Sequence, residues 1–143
     1  MFIEEDGLGG PLLDFLRQKV EDMKDKEEDK IPDSEFKGRK LKNVAIRGVV
    51  VGSAAISSST KFKNKRAENH CSARDWFEGE PALIKNPKLK HQLSNLLYTF
   101  TGDGGIQMLE KKLIKKEIGS SPDESDAFVT TFSKVLIPRI RFI

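Results

Sequence analysis

The sequence predicts an α/β domain, a mixed sheet flanked by helices, and three observations carry that prediction. Val44 to Val51 is a β-branched, nearly continuous apolar run, the pattern of a strand buried on both faces. Leu12, Leu13, Leu16 and Val20 recur at helical spacing. A last helix opens on Ser121-Pro122-Asp123-Glu124, where Ser121 and Glu124 have the spacing of a capping box and Pro122 suits the first helical position. Strands interleaved with helices point to one layered α/β unit, and 143 residues are enough for a single domain with a core of its own.

Taken in order, Met1 to Ile3 reads as the end of a strand, and the glycines between Gly7 and Gly10 as a turn. Pro11 then opens a helix. Residues 21–43 are highly charged and broken by Pro32 and Gly38, so they read as a helix end followed by a loop; six acids and three bases fall in residues 21–30 alone. After the strand at 44–51, Gly52 to Thr60 is a flexible connection. Residues 64–78 form a helix that stops at Gly79, with Pro81 beyond it. Leu89, Leu93, Leu96 and Leu97 mark a further helix. Residues 98–107 form a hairpin around Gly102-Asp103-Gly104-Gly105, and a helix over 108–118 ends at Gly119. In the last helix Phe128, Phe132, Val135 and Leu136 are the expected core stripe. Asp123, Asp126, Thr130 and Ser133 lie on a different, polar face. Pro138 ends that helix and leaves a basic, apolar tail, 137–143.

Composition excludes several function classes. One cysteine, Cys71, permits no internal disulfide and fits a reducing compartment. With only two histidines beside it, zinc-ligand spacing cannot be built, and Cys71 reads as a small core or helix residue. No apolar run approaches the roughly 20 residues of a membrane span, and there is no signal-peptide pattern; a soluble, cytoplasmic protein without membrane contact is expected. Neither glycine-rich phosphate fingerprint is present, so no nucleotide-driven motor is encoded. The net charge of +3 says little about a polyanionic partner, but its distribution says more. Lys61, Lys63, Lys65 and Arg66 fall within six positions, and Lys111, Lys112, Lys115 and Lys116 form a second basic group.

The carboxylates carry the chemistry. Asp123 and Asp126, three residues apart, project from one helical face. Asp123 and Glu124 have an ordinary role in complementing the helix dipole. Asp126 lies deeper, where that benefit fades, and is either solvent-facing or aimed at a metal. Glu4-Glu5-Asp6 beside the glycine turn are either exposed acids or ligands. Carboxylates distant in sequence that converge in space are what a divalent-metal nuclease needs.

Three segments, in order, resemble the nuclease domain of the phage terminase large subunit. Phe2-Ile3-Glu4-Glu5-Asp6-Gly7-Leu8-Gly9-Gly10-Pro11 with Asp14-Phe15-Leu16 is similar to its strand-turn-helix segment. Phe62-Lys63-Asn64-Lys65-Arg66-Ala67-Glu68 is similar to its F-x-N-[KR]-R-A-E segment, and Ser121-Pro122-Asp123-Glu124-Ser125-Asp126-Ala127 to its S-P-D-x-x-D-A signature. Trp76, Leu93 and Tyr98 resemble aromatic and leucine positions of its helices. The resemblance implies a partial RNase H-like fold and a metal-dependent endonuclease cutting duplex DNA during packaging. It implies Mg2+ or Mn2+ at a two-metal site, with Glu4, Asp123 and Asp126 as catalytic metal ligands. Lys61, Lys63, Lys65 and Arg66 become phosphate contacts. It further implies an ATPase domain and a first-strand aspartate upstream of Met1. The expectation is thus a C-terminal piece of a terminase, a prophage remnant or one half of a split gene, inactive unless an upstream chain completes it. Portal and small terminase subunit are the implied packaging partners. The alternative is a non-enzymatic α/β module whose basic segment binds DNA or another partner.

Overall fold

A computed structural model describes residues 1–6, 8–24, 45–83 and 85–134. The expected charged loop over residues 25–43, the start of the strand at Val44, and Val135, Leu136 and the tail 137–143 lie outside the described residues. The chain divides into two compact units, Met1–Val50 and Val51–Ile143.

In the first unit, β1 (Phe2–Glu4) pairs in parallel with β2 (Arg47–Val49), and helix α1 (Gly9–Lys24) follows β1. Parallel strands need a crossover, and α1 supplies part of it. The register sets Phe2 against Arg47, Ile3 against Gly48 and Glu4 against Val49. Backbone bonds from Arg47 N to Met1 O and from Glu5 N to Val49 O, both 2.9 Å, extend the ladder at each end. Leu13 and Val20 are the buried positions of α1, whereas Leu12 is exposed, so the helical stripe is narrower than its four leucine and valine positions suggest. A Cβ at Gly9 would collide with the carbonyl oxygen of Glu4. Glycine there lets the helix start directly against the strand end.

The strand read over residues 44–51 is shorter and wetter than expected. Only Arg47–Val49 pair, Val49 is buried, and Val50 is 41% exposed. A run buried on both faces requires a layer on each side, and β2 has a single strand neighbour, β1, among the described residues.

The second unit contains α2 (Lys65–Phe77), α3 (Pro87–Ser94), the antiparallel hairpin β3 (Tyr98–Phe100) and β4 (Ile106–Met108), α4 (Lys111–Ile118) and α5 (Asp123–Thr130). The hairpin turns where the glycine cluster predicts. Phe62 adds a parallel bridge to Ile106, fixed by Lys63 N to Ile106 O at 2.9 Å and Ile106 N to Lys61 O at 2.8 Å. The sequence places the following helix at 108–118, but Met108 belongs to β4 and α4 starts at Lys111. Cross-strand pairing with Tyr98 captures Met108 for the hairpin. Gly119, at φ 74°, adopts the left-handed conformation that ends α4, as its position predicts.

The apolar core is small, with Phe62, Ala67, Cys71 and Met108 at its centre and Ala55, Leu96 and Ile106 packed against it. Cys71 is thus the small core residue expected. Much of the remaining interior is polar. Gln92, fully buried on α3, donates from Nε2 to Ser121 O and accepts from Ser125 N, both at 2.9 Å. Leu96 and Leu97 fall beyond the end of α3, so its inward position is this glutamine and not the predicted leucine stripe.

Glu68 on α2 is 1% exposed and accepts from Ile56 N at 2.8 Å and Ser57 N at 2.7 Å. Burial pushes its carboxyl up, but the Ser57 hydroxyl and the two N–H groups outweigh that and hold its pKa below the ordinary value. The connection over residues 52–60, which the sequence reads as flexible, is therefore pinned to α2. Glu68→Gln removes the charge these donors face and leaves one without a good acceptor. The variant should be less stable by about 1–3 kcal/mol, with faster amide exchange at Ile56 and Ser57; an unchanged melting temperature and unchanged exchange would show that Glu68 does not hold the segment.

Candidate functional site

Asp126 is the centre of the second unit's charged interior. It sits in the first turn of α5, 7% exposed, with its N–H donating to Pro122 O at 2.9 Å. Arg66 and His70, one turn apart on α2, reach it from one side. Arg66 Nη2 lies 3.4 Å and His70 Nε2 3.6 Å from Oδ1. Lys111, the first residue of α4, places Nζ 2.9 Å from Oδ2. Arg66 also donates through Nη1 to Leu109 O at 3.0 Å, which fixes the link between β4 and α4.

Burial alone would raise the Asp126 carboxyl. His70, Lys111 and Arg66 outweigh it and bring its pKa to about 2. For His70, burial acts with Arg66 and Lys111 against the Asp126 carboxylate, and the imidazole titrates below its ordinary value, so the ring is neutral near pH 7. Four buried polar atoms here lack a hydrogen-bond partner: Arg66 Nε, Asn69 Oδ1, His70 Nε2 and Asp126 Oδ2. Two of these atoms nonetheless face an ion partner, His70 Nε2 toward Asp126 Oδ1 and Asp126 Oδ2 toward Lys111 Nζ, so the cluster is held by charge as much as by hydrogen bonds.

The other face of α5 explains how Asp126 is held. The buried positions are Ser125, Asp126, Val129, Thr130 and Ser133, while Phe128 and Phe132 are only half-buried. The polar face of the sequence reading is thus the one turned inward, Asp123 excepted. Thr130 Oγ1 donates to Asp126 O at 2.8 Å, and Asn69 Nδ2 donates to Ser133 Oγ at 2.7 Å. The predicted capping box does not form. Pro122 is the N-cap, without a side-chain cap bond. Glu124 instead pairs with Lys88 at 2.8 Å and accepts from Asn86 at 2.9 Å, because α3 offers it cationic and amide partners.

The sequence-predicted residues are distributed unevenly. Asp126 and Arg66 meet. Asp123 is exposed and accepts from Ser121 Oγ at 2.5 Å. Glu4, half-buried, ends β1 in the first unit. Lys61 and Lys63 are exposed beside the hairpin, and Lys65 donates to Lys134 O at 3.4 Å. His70 and Lys111 were not singled out as site residues. The i, i+4 spacing of Arg66 and His70 was a signal for the first; Lys111 had none beyond its place in a basic group.

A divalent-ion site needs several hard oxygen ligands. Among the described residues no group of three or more His, Cys, Asp or Glu side chains is arranged to hold a metal ion. Asp126 faces three basic side chains in place of further carboxylates. These residues do not, as they stand, make a metal centre by themselves.

No protein-family model and no curated protein matches the sequence. Solved structures do. The chain is 18% identical to the nuclease domain of the large terminase subunit gp2 of bacterial virus Sf6, with a TM-score of 0.62 over 94% of this chain and 65% of that one. A lysine-to-alanine variant of that domain with manganese gives the same values. The variant with calcium also matches with a TM-score of 0.62, covering 64% of its chain. The chain spans just under two thirds of the length of these domains. It shares their RNase H-like fold, and two of those structures contain manganese or calcium.

The charge cluster sets the acid stability of the second unit. With the Asp126 pKa moved from 3.8 to about 2, the unfolded state binds the proton more readily. The stabilisation is complete above the unfolded value and is lost as pH falls through the folded one, worth about 2 kcal/mol by linkage. Urea unfolding between pH 7 and pH 2 should show this loss in the wild type and a flatter profile in Asp126→Asn. At neutral pH that variant, with its cations uncompensated, should be less stable by on the order of 3 kcal/mol. Identical profiles would remove Asp126 from the account of stability.

Proposed function

We propose that this chain is part of a DNA-packaging nuclease of the terminase large-subunit type, which engages duplex DNA but does not cleave it unaided. The observation that carries this reading is the buried Asp126 carboxylate framed by Arg66, His70 and Lys111 on a fold shared with a terminase nuclease domain. Lys61 and Lys63, exposed on the segment beside the hairpin, suit phosphate contact. Arg66 spends its guanidinium on Asp126 and Leu109, so its part in DNA binding is indirect.

Cleavage by Mg2+ or Mn2+ belongs, in this reading, to an assembled site. Asp126 contributes one carboxylate; Glu4, Asp123 and acidic groups of a completing chain are the candidates for the rest. Packaging partners such as the portal and the small terminase subunit belong to the same proposal. No helix among the described residues is long and apolar enough to cross a membrane.

A second reading is favoured by one observation, the exposure of Lys61 and Lys63 beside the hairpin. It is a non-enzymatic module that holds DNA through Lys61 and Lys63. Plasmid nicking with Mn2+, with EDTA, and after addition of an upstream terminase segment separates the two. The nuclease reading expects nicking only in the complemented, metal-loaded sample, abolished by Asp126→Asn and reduced by Glu4→Gln or Asp123→Asn. DNA binding without nicking under every condition, lost in Lys61→Ala/Lys63→Ala, would decide for the binding module.

A further inference from the structure

Next to the Asp126 cluster the second unit has a cavity of about 280 Å³ that the charged groups do not use. Its walls are mostly apolar: Phe77 from α2, Leu93 from α3, Met108 from β4 and Tyr98 from β3. Two polar groups reach it, His70 and Arg74, one turn apart on α2. Apolar walls with a few placed polar atoms are the usual composition of a ligand site, and this volume falls just below the ~300–1,000 Å³ of drug-sized pockets, enough for one ring system.

The polar groups narrow the ligand. His70 lines the cavity with its buried ring while its Nε2 faces the Asp126 carboxylate. The same ring lies 3.6 Å from Asp126 Oδ1, so His70 belongs to both the cavity and the charge cluster. Arg74 is bonded to Asp75 but its side chain remains 60% exposed, free to lay its guanidinium plane or its remaining donors on an entering group. Tyr98, 57% exposed, stands at the hairpin edge with Phe100 in a T-shaped contact at 5.7 Å. A flat ring with hydrogen-bonding edges meets all of these features. An aliphatic or phenyl side chain of a peptide would leave His70 and Arg74 unanswered.

We propose that this cavity binds a single unpaired nucleobase, stacked on Tyr98 and Phe77 with its polar edge toward His70 and Arg74, beside the strand that Asp126 acts upon. A base inside a duplex hides the faces and edges that such a pocket reads, so the ligand is a locally opened or single strand. The proposal rests on the DNA-binding reading above and adds to it a preference for opened DNA.

The test uses a 2-aminopurine base in a single-stranded oligonucleotide and the same strand annealed to its complement, titrated with the full chain in EDTA so that cleavage plays no part. The wild type should change the single-strand probe's emission saturably, and bind it more tightly than the duplex. Tyr98→Ala, at an exposed position, and Leu93→Trp, which fills the cavity, should each weaken single-strand binding about tenfold, the effect of losing one stacking partner, while duplex affinity changes less than twofold. Duplex binding without any single-strand preference, or equal single-strand binding by wild type and both variants, overturns this proposal alone. No binding of either form overturns it together with the DNA-binding reading. Loss of the effect on competition with a phenylalanine-bearing peptide, but not with free nucleotides, would assign the cavity to a protein partner and also overturn it.

Discussion

A buried carboxylate that three basic side chains must share is the constraint around which the second unit is arranged. Asp126 draws Arg66 and His70 from α2 and Lys111 from α4 onto α5. Replacing a buried charge cluster with apolar residues of equal volume is often neutral or stabilising, whereas removing one member is costly. Its retention therefore says more about geometry than about net energy. The helices can approach only where every charge meets its partner, which fixes their register in a way that a slippery apolar contact would not. The pinned segment before α2 and the Gln92 brace repeat the device, each tying two elements through a buried polar side chain.

The consequence is an inverted distribution of polarity. Buried positions carry Glu68, Asn69, Gln92, Ser125 and Asp126, while Trp76 and Phe77 are more than a third exposed and cluster with Phe128 and Phe132 at ring distances of 5.1–5.9 Å. A domain selected only for stability would bury the rings and expose the amides. A buried carboxylate whose pKa is strongly shifted by specific charged partners is the kind of feature that marks candidate functional sites, although structural ion-pair networks produce it as well. Among the described residues the cluster holds a single carboxylate facing three basic side chains, which is not a set that holds an ion unaided.

Several parts of this were legible locally. The helix over 64–78, the hairpin around its glycines and the stop at Gly119 depend on caps, turn residues and φ > 0, all set within a few residues. Asp126 could be singled out by its place in the Ser121–Ala127 segment, but the expectation that it lies beyond the dipole's reach does not hold, because α5 starts at Asp123 and puts it in the first turn. His70 and Lys111 could not, because a basic residue on a helix looks the same whether it faces water or a buried acid on another element. The capping box failed for a related reason: Glu124 had a better offer from Lys88 and Asn86, which are far away in sequence. The stripe expected on the last helix is broken, because α5 ends at Thr130 before Phe132, and Phe128 and Phe132 are only half-buried.

The sequence by itself determined which segments are helical, where the glycine turns fall, which acid was unusual, and which fold the ordered motifs resemble. Those properties follow from bonds made within a turn or two of chain, or from spacing that survives in the string. The tertiary structure decided which face of each helix is inside and which cations answer Asp126. It also decided that the 52–60 connection is held and not loose. Each of these depends on a partner brought in from another element. Burial of a polar group is favourable only when that partner is present, and no local pattern records whether it is.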